Sequence, residues 1–153
     1  MGIKNFKAPK KAIDKNENRA ILVSDFMTKK LITFSEDQTL LSVIDTLISN
    51  KISGGPVVNK KGDLVGIISE GDCIKQISES RYYNMPISDK KVSSYMIKNV
   101  ETIDGSMDIF DAANKFLKSK RRRFPIMKNG NLIGQISQKD ILKAALDHKG
   151  HDW

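Results

Sequence analysis

The chain has 153 residues, 39% of them hydrophobic, with one cysteine, a net charge of +8 and a pI of about 9.5. That length allows one compact domain or two small ones, and a single thiol closes no internal disulfide. No apolar run reaches the roughly 20 residues of a membrane span, and residues 1–18 hold no apolar stretch of signal-peptide length, so the expectation is a soluble, cytoplasmic protein whose basic balance suits an anionic ligand, an acidic surface or nucleic acid.

Residues 1–19 are polar and without periodicity. Lys4, Lys7, Lys10, Lys11, Lys15 and Arg19 stand there against Asp14 and Glu17. They carry half the net charge and read as a basic flexible arm. Ordered chain is expected from residue 20, with a short strand over residues 32–34. Thr39 is a good helix N-cap. After it Leu40, Val43, Ile44, Leu47 and Ile48 fall at the spacing of an amphipathic helix with one core face. Ile52, Ser53, Gly54 and Gly55 lead to a strand expected to begin at Pro56, since proline suits a strand's first residue. Residues 60–63 form a turn, residues 64–69 the returning strand, and a second helix is expected from Gly71 to about Ser78. Cys73 lies in that helix and reads as a buried structural thiol. Residues 79–91, with Arg81, Tyr82, Tyr83 and Pro86, read as a linker suited to packing on the module or on a partner.

The same order then recurs. Met27 and Met96, Thr33 and Thr102, and Pro56 and Pro125 each lie 69 positions apart. A short strand is expected over residues 102–103 and a helix after Asp108. There Ile109, Ala112, Ala113, Phe116 and Leu117 repeat the apolar stripe. A strand follows from Pro125, then Asn129-Gly130, a strong signal for a two-residue hairpin turn. Residues 132–137 are the returning strand and residues 139–147 the last helix. His148 and His151 in the tail of residues 148–153 are too few for a metal site. The division is thus an arm (1–19), a first repeat (20–78), a linker (79–91), a second repeat (92–147) and a tail.

Chemistry concentrates in one duplicated stretch. Gly66-Ile67-Ile68-Ser69-Glu70-Gly71-Asp72 returns as Gly134-Gln135-Ile136-Ser137-Gln138-Lys139-Asp140. Each serine ends a strand and each aspartate falls in the first turn of a helix. Free amides and the positive dipole end make such a helix start suited to anions. A serine hydroxyl there can meet a phosphate, and a carboxylate can accept the two hydroxyls of a ribose. The alternative is that both residues cap a helix, which serine and aspartate do well. Lys118, Lys120, Arg121, Arg122 and Arg123 form a second basic cluster. Guanidinium forks suit phosphate, although a solvated cationic helix end accounts for them equally. No catalytic constellation, dinucleotide fingerprint or phosphate-loop motif is present, so no enzyme is expected.

In order, spacing and duplication, these stretches resemble a tandem pair of cystathionine-β-synthase (CBS) domains, a Bateman module. The matching residues are Val23-Ser24-Asp25-Phe26-Met27-Thr28, Gly55-Pro56-Val57-Val58 and residues 66–72, then Val92-Ser93-Ser94-Tyr95-Met96, Phe124-Pro125-Ile126 and residues 134–140. The resemblance implies an α/β fold of two βαββα repeats, related by a pseudo-two-fold, with three-stranded sheets packed face to face. It implies that the segment before the first strand packs across the partner repeat. It also implies clefts for AMP, ADP, ATP or another adenosyl ligand, no required cofactor, and a homodimer. Carried onto this sequence, Ser69 with Asp72 and Ser137 with Asp140 make two sites. Val100, Thr102 and Arg121–Arg123 are expected to close the Asp72 site, and Ile32, Thr33, Ile52, Ser53 and Gly54 the Asp140 site.

The leading expectation is a regulatory, nucleotide-sensing module acting on a protein partner. A nucleic-acid-binding module using the basic arm and arginine cluster is the alternative, weakened by the lack of aromatic stacking platforms. A dimerisation scaffold with empty clefts is the third.

Overall fold

The computed structural model describes residues 20–84 and 86–148. The basic arm and the tail beyond His148 lie outside that range. The first repeat comprises β1 (Phe34–Ser35), α1 (Leu40–Asn50), β2 (Gly54–Val58), β3 (Leu64–Ser69) and α2 (Glu70–Tyr82). A single helical turn, α3 (Val92–Tyr95), leads to β4 (Ile103–Asp104), α4 (Ile109–Ser119), β5 (Arg123–Lys128), β6 (Asn131–Ser137) and α5 (Gln138–Asp147). Each repeat forms one three-stranded sheet, β1-β2-β3 or β4-β5-β6, as the βαββα reading requires. Among the described residues no helix is long and apolar enough to cross a membrane.

The local signals act as read. Thr39 Oγ1 accepts the Ser42 N–H at 3.2 Å, and Asp108 accepts the Phe110 N–H at 2.7 Å. Asn129 and Gly130 both take positive φ, 52° and 80°, which the tight hairpin demands.

Several boundaries differ from the sequence reading. The first strand of each repeat starts later, because parallel pairing begins only at Phe34 with Val57 and at Ile103 with Ile126. The second strand starts two residues before its proline, so Pro56 and Pro125 lie inside central strands. The register permits this. Ile67, opposite Pro56, directs its N–H and C=O outward to Ile97, and Gln135, opposite Pro125, directs its own to Thr28. Neither proline is asked for a donor by the third strand of its sheet. Helix α2 continues to Tyr82, taking in residues read as linker. The Tyr83 N–H still reaches the Glu79 carbonyl at 2.9 Å, and the chain turns away only where Asn84 adopts φ 52°.

The core is two clusters, and each is completed by the other half of the chain. Val23, fully buried, belongs to the cluster of Ile103, Ile109, Phe116, Phe124, Ile126 and Ile136. Val92, fully buried, belongs to that of Phe34, Leu40, Val43, Val57 and Ile68. Main-chain bonds fix the exchange. Val23 N–H donates to the Met107 carbonyl and Val92 N–H to that of Gln38, both at 2.9 Å. Thr28 and Gln135 exchange two bonds at 2.8 and 3.0 Å, and Ile97 and Ile67 two at 2.8 and 2.9 Å. The segment before each first strand thus binds the edge of the other repeat's sheet, as expected for the first.

The helix stripes are only partly core. Ile48 and Leu117, at their C-terminal ends, are 73% and 82% exposed. Leu41 and Phe110, beside the stripes, are also exposed.

Candidate ligand-binding site

Strand β3 runs into α2 at Ser69, whose extended backbone (φ −136°, ψ 170°) makes it the N-cap. The Ser69 N–H donates to Asp72 Oδ2 at 2.9 Å, the Ser69 hydroxyl donates to the same oxygen at 3.0 Å, and the Asp72 N–H donates back to Ser69 Oγ at 3.4 Å. The second copy repeats this between Ser137 and Asp140 at 2.9, 3.1 and 3.3 Å. Each pair is a reciprocal capping box, so the structural role weighed for them is present in full. These bonds engage only Oδ2, leaving Oδ1 of each carboxylate to another donor. Asp72 is half-buried, whereas Asp140 is buried at 7% exposure.

The remaining expected residues gather around these junctions by strand pairing. In the first repeat Gly54 is in register with Ser69, and the Ser53 carbonyl accepts the Glu70 N–H at 2.9 Å. Ile32 lies alongside: a Cβ at Gly55 would stand 2.8 Å from its carbonyl oxygen. In the second repeat Arg123 is in register with Ser137. The Arg122 carbonyl accepts the Gln138 N–H at 3.2 Å, and that of Arg121 accepts Gln138 Nε2 at 3.4 Å. Thr33 and Thr102 directly precede the parallel pairs that begin at Phe34 and Ile103. Val100, whose N–H donates to the Lys98 carbonyl at 3.1 Å, lies in the connection from Ile97 to β4.

By main-chain pairing each segment stands beside the junction of its own repeat. Residues 52–54 lie next to Ser69 and Glu70, and residues 121–123 next to Ser137 and Gln138. The reason is antiparallel pairing, which sets the start of each second strand against the end of the third strand of its own repeat. One side chain does cross. A terminal nitrogen of Arg123 donates to Ser53 Oγ. Burial lowers the pKa of this guanidinium, Glu70 raises it and Arg122 lowers it further. Sequence periodicity carries no sign of that reach, although Gly54 at the equivalent position was a clue to it.

Cys73 follows Asp72 into the core. Burial first, and the Asp72 and Glu70 carboxylates second, push its thiol up to about 11. A surface depression of about 460 Å³ lies elsewhere, lined by Glu36, Asp37, Asn59, Lys60, Lys61 and Asp63 near the first hairpin turn.

The CBS domain family matches residues 23–79 and again residues 92–147. The uncharacterized protein MJ1426 of Methanocaldococcus jannaschii is 32% identical over 155 residues, covering 82% of this chain and 92% of its own. The structure of CBSX2, from Arabidopsis thaliana, in complex with AMP is 28% identical, with a TM-score of 0.75 over 84% of this chain and 98% of that one. The CBS domain pair of protein MJ0100, in complex with 5′-methylthioadenosine and S-adenosyl-L-methionine, is 25% identical, with a TM-score of 0.71 over 81% and 98%. With two repeats matched, two like sheets and two like strand-to-helix junctions, the chain belongs to the CBS domain family and is a tandem CBS pair, a Bateman module.

Proposed function

We propose that the chain is a cytoplasmic regulatory module that binds an adenosine-containing ligand, AMP, ADP, ATP or another adenosyl compound, and reports its presence to a protein partner. The observation that carries this reading is the duplicated Ser–Asp junction. Each copy brings together a carboxylate with one oxygen outside the capping box, a helix N-terminus and the main chain of a neighbouring strand. Asp72 and Asp140 accept the ribose hydroxyls, and the neighbouring main chain meets the base. Likeness to CBSX2 with AMP, and to the MJ0100 pair with two adenosyl ligands, supports the ligand class. A ligand that binds only the folded state raises its melting temperature by mass action. Melting curves with AMP, ADP, ATP and S-adenosylmethionine therefore test the reading. Unchanged binding in the Asp72→Ala/Asp140→Ala double variant would reject it.

The module is proposed to work as a homodimer. Leu41 and Phe110, Ile48 and Leu117, and Ile74 and Leu142 occupy equivalent places in the two repeats, and all six are exposed. Such matched apolar faces on the outer helices suit an isologous contact with a second copy.

A further inference from the structure

Five exposed cations gather at one end of the second repeat. Lys118 lies in the last turn of α4, Lys120 is its C-cap, and Arg122 precedes β5. The Arg122 carbonyl accepts the Gln138 N–H at 3.2 Å, which sets this turn beside the start of α5. Lys139 stands in the first turn of α5 and Lys143 one turn on. The exposed acids of the same two helices, Asp111 and Asp147, lie at their far ends. Among the described residues the ion pair formed is Lys115 with Glu101 at 3.5 Å, and none of the five cations takes part in one.

Lys118 and Lys120 suit the negative end of the α4 dipole. The other charges have no such reason. Lys139 sits where a helix dipole disfavours a cation, and it repels Lys143 four residues on. The first repeat shows that the fold asks for neither. With the same helices and turn it has Ser49, Ser53 and Gly71 in the places of Lys118, Arg122 and Lys139, and keeps only Lys51 and Lys75. Repulsion on a surface that folding does not need is offset when an anion covers it.

We infer that this ridge docks an acidic segment of the regulated protein. Its lysines are compact point charges on flexible stems, suited to a run of carboxylates. Exposed aromatic side chains on which bases would stack lie elsewhere, Tyr82 and Tyr83 at the end of α2 and Phe110 at the start of α4. Gln138 bonds the 121–122 turn through both main chain and side chain, so the ridge crosses the Asp140 junction and a partner seated there meets the edge of that cleft. That a protein partner exists rests on the reading above; its acidic character rests on the ridge.

Anisotropy of a fluorescent decaglutamate peptide with the full chain tests this. Lys118→Glu/Lys120→Glu/Lys139→Glu should weaken binding by about tenfold or more, the scale of three exposed charge pairs. Its melting temperature should hold, because Lys139→Glu suits the start of α5. Lys118→Gln/Lys120→Gln/Lys139→Gln should also lose binding. Two controls change net charge as much as the first variant: Lys29→Glu/Lys60→Glu/Lys61→Glu in the first repeat, and Lys7→Glu/Lys10→Glu/Lys11→Glu in the arm. Each should keep most of the affinity. Equal losses in all the charge-reversed variants, or no binding by the wild type, would overturn the inference. So would tighter binding of oligothymidylate through the same lysines, which would make the ridge a polynucleotide surface. No nucleoside enters these measurements, so failure here leaves the adenosyl reading standing. Failure of every adenosyl ligand to raise the melting temperature leaves the ridge standing.

Discussion

Met96 lies directly against Gly66. A Cβ at Gly66 would stand 2.5 Å from the Met96 sulfur and 2.9 Å from the Ile97 carbonyl oxygen. Met27 and Gly134 repeat the relationship, at 2.6 Å from the sulfur and 2.9 Å from the Thr28 carbonyl. The glycine that opens each Ser–Asp stretch is therefore there for the passage of the exchanged segment. Gly66→Ala and Gly134→Ala should each destabilise the chain by about 1–3 kcal/mol, the usual scale of overpacking. Gly66→Ala/Met96→Ala should regain only part of the loss, since the carbonyl oxygen remains. Urea unfolding of the four proteins checks this.

The capping boxes separate stability from binding. Ser69→Ala and Ser137→Ala each remove an N-cap and should lower stability by about 0.5–2 kcal/mol. Ser69→Asn, which supplies another good cap, should restore most of it. Thermal melts without ligand measure these effects directly.

The Cys73 thiol gives a pH dependence of fixed sign. Folding raises its pKa from 9.0 to about 11. Between those values the unfolded chain releases this proton while the folded chain holds it. Stability must then fall as pH rises from 9 toward 11. The fall should be steeper in the wild type than in Cys73→Ala. At neutral pH the folded protein should resist alkylation, because the thiolate is the nucleophile. Fast alkylation of native protein at pH 7 would contradict the burial of this side chain.

The exposed helix faces predict self-association. Ile48→Glu with Leu117→Glu places two charges on equivalent outer positions. Sedimentation should show a dimer for the wild type and a monomer for the variant, with unchanged melting at low concentration. A wild type that sediments as a monomer at micromolar concentration would count against the dimer.

Much of the fold was legible because its signals are local. Thr39 and Asp108 announced their helices, Asn129-Gly130 its hairpin, and the paired methionines and prolines the duplication. Interior prolines hid the true starts of β2 and β5, since which strand face needs a donor depends on the partner at the other edge. The end of α2 was missed because residues 79–82 suit a helix as well as a linker. The Ser–Asp stretches could be found as motifs, and capping and binding share the same residue types. The family resemblance pointed Arg121–Arg123 toward the first repeat, but that Arg123 meets Ser53 was not legible, because a long side chain's direction is set by the space left at Gly54, in a part of the chain far away in sequence.

The exchange of Val23 and Val92 between the two cores bears on how the molecule forms. Val23 meets Met107 and Ile109's neighbourhood across more than half the chain, so its core does not close until the second repeat has been made, whereas the Val92 core draws only on residues from Ile32 to Met96. Such distant contacts slow folding. They also bind the two halves into one cooperative transition. An isolated repeat would lack a buried valine and a sheet-edge partner, and would be expected to fold only when its complement is supplied.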